Sequence, residues 1–267
     1  MEQTPFIELF SIGTELILGQ IQDTNAHWIA QRILQLGGKL RRVTMLRDEF
    51  DEMIEAIEDA IRRKTDVILT TGGLGPTPDD MTVEVVARLI GTQPIVHEET
   101  LRSFMERRQL TNRADVSPAM VKMATVPETA HVFQNPAGWA PCIRVAKDSS
   151  TILMMPGPPR EMKAIFDSYI VPLIAERYNT KTATLRVYVN MFEAEVSPLL
   201  QLVMGKCPNV YLKAYVALRR ADGQYMPVDL VSTGINAENA QSQLQEAADY
   251  LRQLVTEKGK VFSFEDE

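Results

Sequence analysis

Short apolar or β-branched runs alternate with longer stretches of helical spacing from the start of the chain to about residue 175, the pattern of an α/β domain. Phe6 to Phe10 reads as a first strand. Trp28, Ile29, Ile33, Leu34 and Leu36 then recur at three- and four-residue steps and stop at Gly37-Gly38, as a helix with a glycine end does. Leu40 to Leu46 predicts a second strand, Met53 to Ile61 a second helix, and Asp66 to Thr70 a third strand entering Thr71-Gly72-Gly73. Two βαβ units follow from this order. A helix from Val83 to Ile90 closes at Gly91, and residues 98 to 124 read as irregular helix with a break at Ser117-Pro118. The Arg-rich middle of that stretch is either a solvated face or a lid or dimer contact. Val132-Phe133, Cys142 to Val145 and Ile152 to Met155 are further strands, and Pro158-Pro159 opens a helix carrying Met162, Ile165, Phe166, Tyr169 and Ile170 inward.

The rhythm changes between Tyr178 and Thr182, which places a domain of residues 1–177 before a smaller one of residues 183–267. The second part reads strand, helix, strand, strand, helix, strand. That βαββαβ order suits a split-βαβ α+β sandwich, with Ala221-Asp222-Gly223 as the turn between its central strands.

The composition adds exclusions. With 28 Lys+Arg against 35 Asp+Glu the formal charge is −7, which argues against a nucleic-acid binder. No window has the apolar length of a membrane span, and the acidic start is unlike a signal peptide. The two cysteines, Cys142 and Cys207, lie far apart without a CxxC neighbour, so a reduced, cytoplasmic setting is expected. His27, His97 and His131 have no metal spacing among them.

Candidate chemistry collects in loops at strand ends, where open α/β sheets bind their ligands. In the stretch from Thr70 to Thr82, Gly72, Gly73 and Gly75 let the backbone turn and approach a ligand, while the following helix offers amides to an anion. The loop has neither the Gly-Lys-Ser/Thr end of a Walker A motif nor GxGxxG spacing. Asp79 and Asp80 would repel a bare phosphate, and a hard divalent cation between them and the phosphate oxygens resolves the conflict. The same residues also read as a helix start, with Thr77 as N-cap, Pro78 at N1 and Asp80 at N3. Thr14, Glu15, Asp23 and Asn25 follow the first strand, and Asp23 is equally an N-cap for the Trp28 helix. Gly157 permits a close approach between stiff prolines, Arg160 can neutralise a phosphate, and Glu161 adjoins it. Trp139 is placed either to stack on a base or to pack.

Four segments, GTELILGQIQDTNAHWIA at 13–30, TTGGLGPTPDDMTVEVVA at 70–87, NPAGWAP at 135–141 and MPGPPREM at 155–162, resemble in order and separation the amino-terminal part of the CinA family, within the molybdopterin-binding superfamily of MoaB and MoeA. The resemblance spans residues 5 to 175. The remainder, including Val210 to Lys213, is similar to the small KH-like domain that follows in those proteins. The resemblance implies a three-layer α/β/α domain and metal-dependent hydrolysis of ADP-ribose-like pyrophosphates, with Mg²⁺, Mn²⁺ or Co²⁺ as the cation and K⁺ as an additional candidate. It sets the site glycines on Gly72, Gly73 and Gly75, the metal and catalytic carboxylates on Asp79 and Asp80, and further ligand contacts on Thr14, Glu15 and Asn25. It also implies a homodimer; many CinA proteins continue into a nicotinamide-nucleotide deamidase domain, which these 267 residues stop short of, so deamidase activity is not expected. Trp139 and Cys142 depart from the usual small or hydroxyl residue and glycine, which bears on pocket width and substrate choice.

The leading expectation is therefore a pyrophosphohydrolase that converts ADP-ribose to AMP and ribose 5-phosphate. A pterin- or molybdopterin-binding or adenylylating module is the second reading, since fold alone does not fix function. A non-catalytic regulatory partner is the third.

Overall fold

The computed structural model describes residues 5–178, 180–218 and 225–264. The chain divides into two compact units, one comprising Met1–Leu34 and Gly38–Tyr178 and the other Gln35–Gly37 and Asn179–Glu267.

The first unit is built on a six-stranded sheet. Its strands are β1 (Ile7–Ile12), β2 (Leu40–Leu46), β3 (Val67–Thr71), β6 (His131–Phe133), β7 (Cys142–Lys147) and β8 (Ser150–Met155), in the order β2-β1-β3-β8-β7-β6. The short β4 (Pro94–Val96) and β5 (Thr125–Pro127) form a separate two-stranded ladder. Strand β1 pairs in parallel with β2 and β3, and β3 in parallel with β8, whereas β7 and β6 continue the sheet antiparallel. All residues of β1 and β3 are buried, because parallel central strands are covered on both faces. The helices are α1 (Thr14–Ile17), α2 (Thr24–Gln35), α3 (Phe50–Arg62), α4 (Thr82–Ile90), α5 (Glu98–Arg107), α6 (Pro118–Met123), α7 (Pro159–Ile165) and α8 (Val171–Arg177). A π-turn at Phe166–Ile170 joins the last two.

Side chains alternate across the sheet and so define two core layers. Phe10, Ile12, Ile68, Ile152 and Met154 pack with Met53, Ile57 and Ala60 of α3 and Val83, Val86 and Leu89 of α4. The alternate residues Leu9, Leu69, Leu153 and Met155 turn the other way and are also buried, as are Ile29 and Ile33 of α2 and Met162 and Ile165 of α7. Trp28 meets Phe166 edge-on at 5.3 Å, tying α2 to the helix that follows the prolyl turn.

Two expectations change. The alternative helix start at Thr77 does not form: α4 begins at Thr82, one residue before the Val83 read from the apolar pattern, and Thr77 to Asp80 closes a turn of its own, with the Asp80 amide donating to the Thr77 carbonyl at 3.1 Å. The irregular helix of residues 98–124 resolves into α5, a 3₁₀ turn at Arg113–Asp115 and α6. Ser117 and Pro118 are the N-cap and first residue of α6 rather than a mere break.

The second unit consists of β9 (Lys181–Val189), α9 (Glu193–Lys206), β10 (Val210–Ala214), β11 (Met226–Gly234), α10 (Ala237–Glu257) and β12 (Phe262–Ser263). Its four-stranded sheet has the order β10-β11-β9-β12, with every neighbour antiparallel. Strands β9 and β10 are thus parallel with β11 between them, and β11 and β12 are parallel with β9 between them, which is the split-βαβ arrangement. Val187, Leu212, Val228 and Leu230 on the sheet pack with Val196, Leu200, Leu244 and Leu251 of the two helices. The βαββαβ order expected from the sequence is the one this unit displays, and no Gly-x-x-Gly, the nucleic-acid clamp of KH domains, occurs in the sequence after residue 180. The turn expected at Ala221-Asp222-Gly223 lies outside the described residues.

At the amino ends of the strands of the first unit, the fully buried Glu8 accepts hydrogen bonds from Arg63 Nε at 3.0 Å, Arg63 Nη2 at 2.7 Å and Thr65 Oγ1 at 2.8 Å. Burial works to raise the Glu8 carboxyl, but the hydrogen bonds from Arg63 and Thr65 outweigh it and hold the group below its usual 4.5. The stability this pair contributes is complete above that value and is lost as pH falls through the lower, folded-state value. Arg63→Ala strands a buried carboxylate and is expected to lower the unfolding free energy by about 3 kcal/mol in urea denaturation. Adding Glu8→Gln to that variant should recover part of the loss.

Candidate functional site

The site starts where β3 leaves the sheet. Gly72 has φ 106° and Gly73 φ 66°, conformations that side chains oppose. The Gly72 amide donates to the Met155 carbonyl at 3.0 Å, and a Cβ at Gly72 would stand 2.1 Å from the Ile12 carbonyl oxygen. Thr82 opens α4 and binds the turn back, its hydroxyl donating to the Gly72 carbonyl at 3.0 Å and its amide to that of Gly73 at 3.2 Å. The first helical amide is therefore spent on the turn. The amides of Gly73, Leu74 and Gly75 have no acceptor among the described residues.

Beyond the turn, Asp80 Oδ2 accepts the Thr77 amide at 2.8 Å and the Thr77 hydroxyl at 2.5 Å. Gly75 makes room for this carboxylate, since a Cβ there would lie 2.5 Å from it. Asp79 is exposed, and the neighbouring Thr77 hydroxyl, its own amide and the Lys122 charge hold its carboxyl below the usual 3.8. Lys122, from α6, donates to the Thr77 carbonyl.

Three other loops complete the cleft. In the first, the Thr14 amide and hydroxyl donate to Asp48 Oδ2 at 2.7 and 3.0 Å, and the Asp48 amide returns a bond to the Thr14 hydroxyl at 3.2 Å. Asp48 was not among the residues singled out from the sequence; its position just past the end of β2 was the only available signal. Asn25 Nδ2 donates to the Gly157 carbonyl at 2.7 Å and Thr71 Oγ1 at 3.1 Å, joining the first loop to the prolyl turn. Gly157 lies against Gly72, its notional Cβ 3.7 Å from the Gly72 Cα. In the last loop, Glu161 Oε2 accepts from Asn135 Nδ2 at 2.7 Å and the Trp139 amide at 3.2 Å, and Gly138 leaves it space. Trp139 meets Phe104 edge-on at 5.4 Å and carries the Arg107 guanidinium 3.9 Å from its ring centre.

The cleft is open to solvent on one side and has a volume of about 420 Å³, and Glu15, Gly72, Gly73, Gly75, Thr77, Asp79, Asp80, Trp139, Gly157 and Glu161 all line it. Thr14 acts from behind, through Asp48, which itself faces the cleft. Asn25 fronts an adjoining pocket. Arg160 is exposed and lines neither space, because the first turn of α7 points it to solvent. Glu161 holds the Trp139 loop in place as well as facing the cleft. Cys142 does not influence the pocket's width: it is buried in β7, and burial pushes its thiol up to about 12.

The electrostatics are one-sided. Glu15, Asp48, Asp79, Asp80 and Glu161 line the cleft, and no Lys, Arg or His does. Among the described residues no group of three or more His, Cys, Asp or Glu is placed to hold a metal ion by itself. His97 caps α5, accepting the Thr100 amide, while His27 and His131 are exposed. Among the same residues no helix is long and apolar enough to cross a membrane.

Gly72→Ala is expected to cost at least about 2 kcal/mol of stability, since it combines a positive φ with a backbone collision. Gly19→Ala is the control: it has φ 68° but nothing within 4 Å of a Cβ, so only about 1 kcal/mol should be lost. Denaturant midpoints of the two variants compare them.

Residues 8–176 match the family model described as a probable molybdopterin binding domain. A protein from Pyrobaculum calidifontis is 32% identical over 260 residues, covering 95% of this chain and 97% of the relative. A Clostridium botulinum protein named as competence-damage inducible is 31% identical over 210 residues, covering 78% of this chain but 51% of its own length. The crystal structure of the protein CinA from Thermoplasma acidophilum, described as of unknown function, superposes with a TM-score of 0.59 at 30% identity, covering 64% of this chain and 98% of that one. With its central sheet, glycine turn and these matches, the chain belongs to the family of the probable molybdopterin-binding domain, in its CinA-like form.

Proposed function

We propose that the first unit is a divalent-metal-dependent pyrophosphohydrolase acting on ADP-ribose or a related nucleotide diphosphate. The carrying observation is the opposition within one cleft: unpaired amides at Gly73, Leu74 and Gly75 suit phosphate oxygens, while carboxylates alone supply the charged lining. A diphosphate enters such a cleft only with a cation. The donor set fits one. Asp80 and Asp48 each have one carboxylate oxygen engaged by a threonine, which leaves the other oxygen of each for a hard ion, and Asp79 adds a third nearby acid. With no complete protein cage, the fit is to an ion shared between carboxylates and substrate phosphates, as Mg²⁺ prefers.

In this reading Asp79 and Asp80 hold the cation, and Thr77 fixes the direction of the Asp80 carboxylate. When bound there, a divalent ion would neutralise phosphate charge and make nearby water more acidic. The glycine-turn amides orient the diphosphate for in-line attack by water. Water adds to one phosphorus as the bridging P–O bond breaks, and ADP-ribose yields AMP and ribose 5-phosphate. The cleft volume is within the range of sites for ligands of this kind.

A second reading is favoured by the family match itself, whose description names molybdopterin: the same amides and cation would then bind, or adenylylate, a pterin phosphate. Calorimetric binding of a molybdopterin compound, with no product from ADP-ribose under any metal, would decide for it.

The intact chain incubated with ADP-ribose and Mg²⁺, Mn²⁺ or Co²⁺ is expected to release AMP and ribose 5-phosphate, identified by mass, with chelation abolishing the reaction. Asp80→Asn should lower kcat about a hundredfold or more; retention of full rate would remove Asp80 from the chemistry. Mn²⁺ should bind at least about tenfold more tightly with ADP present than alone. Because Asp79 is held below its usual value, it stays anionic at about pH 5, where Mn²⁺–ADP binding should persist.

A further inference from the structure

We infer that the helical excursion between β4 and β5 is a brace that fixes the spacing of two cleft-lining loops, with Lys122 and Arg107 as its anchors and so as positioning residues. Its consequence for ligands rests on the phosphate-binding reading above; the brace itself does not.

Residues 97 to 124 leave and rejoin the rest of the first unit through one narrow base. Strand β4 leads out and β5 returns, paired antiparallel with Val96 opposite Thr125, and the His97 amide donates to the Ala124 carbonyl at 2.8 Å. Above that base α5 and α6 form one packed body: Leu101 and Phe104 of α5 share an apolar cluster with Met120 and Met123 of α6 and with Ala124. Arg113 of the 3₁₀ turn binds Glu98 at the start of α5, its Nη2 donating at 2.8 Å.

This body is attached to both loops. Lys122, in the last turn of α6, donates to the Thr77 carbonyl. The same carbonyl closes the aspartate turn by accepting the Asp80 amide, and the Thr77 amide and hydroxyl in turn hold Asp80 Oδ2. Arg107, the last residue of α5, donates to the Gly138 carbonyl at 2.6 Å. The next amide along, that of Trp139, is bound by Glu161, and the indole packs against the cluster shared by the two helices. Thr77, Asp80, Trp139 and Glu161 all line the cleft, as does Met123 beside Lys122.

A cation at the carboxyl end of a helix ordinarily serves that helix's own last carbonyls. Here each one reaches a main-chain carbonyl of a distant segment, 31 positions away for Arg107 and 45 for Lys122. Such charge-assisted bonds are stronger than neutral ones. The excursion therefore joins the aspartate turn to the tryptophan loop, and a strut works only with both ends attached. Freeing either end should loosen both loops, whereas two unrelated hydrogen bonds would each steady only their own.

Amide hydrogen exchange of the intact chain, resolved by residue, tests this without any ligand. Lys122→Met should speed exchange of the Trp139 amide about fivefold or more, and Arg107→Met that of the Thr77 amide, while the amides of β1 and β3 keep wild-type protection. Lys122→Arg, which keeps a charged donor, should restore slow exchange in both loops. Titrated with ADP in the presence of Mn²⁺, each Met variant should bind about fivefold more weakly than wild type, and the double variant no more weakly than either; independent anchors would multiply to about 25-fold. Faster exchange confined to the substituted anchor's own loop, or multiplying losses in the double variant, overturns the brace. Wild-type protein that binds no ADP with Mn²⁺ removes the phosphate-binding reading, and the cross-loop exchange then still decides the brace.

Discussion

Backbone meets backbone where β3 leaves the sheet, and the rest of the site depends on that contact. Gly72 sits against the Ile12 carbonyl on one side and Gly157 on the other, so the ends of β1, β3 and β8 are locked together through main-chain atoms. Three loops distant in sequence are thereby held at one point without long side chains to bridge them. Asn25 reinforces the junction with its two bonds to Thr71 and Gly157. Amides left unpaired at such a junction are fixed in position before any ligand arrives, and preorganised dipoles of this kind act strongly on phosphate charge.

The lining reverses the usual logic of an anion site. Phosphate pockets commonly offer Arg or Lys; here the nearest cationic side chains are engaged elsewhere, Lys122 on the Thr77 carbonyl and Arg107 on Trp139 and the Gly138 carbonyl. Lys122 acts on Asp79 from outside the cleft, so the charged lining of the cleft itself consists of acids alone. In the proposed reading, their incomplete arrangement would make cation and nucleotide mutually dependent ligands, each improving the other's binding by the same factor.

Much of this was legible in the sequence because it depended on periodicity and on glycine. Continuous apolar runs gave β1, β3 and β8, and the Gly72-Gly73 pair marked a turn that no other residue could make. The βαββαβ order of the second unit was also readable from the alternation of its elements. Other features required three dimensions. Asp48 joins the cleft through Thr14, a partner 34 positions away, and nothing local distinguishes it from any acid after a strand. Arg160 looked suited to a phosphate, yet helix phase turns it outward, and a one-residue difference in phase decides such matters. The apolar pattern from Val83 located α4 to within one residue, while the alternative start at Thr77 fails because Thr77 and Asp80 make the hydrogen bonds of a helix cap within an isolated turn. The β4–β5 ladder escaped because its strands are only three residues long and carry prolines.

Trp139 has a role beyond filling space. Its indole lines the cleft and carries the Arg107 guanidinium 3.9 Å from its ring centre, while the backbone beside it is pinned by Glu161. A smaller residue at this position would widen the cleft and take away the ring on which Arg107 rests, so cleft width and the seat of a neighbouring positive charge depend on a single side chain. Divergence in this loop can thus change which ligands are admitted while the glycine junction and its acids stay untouched.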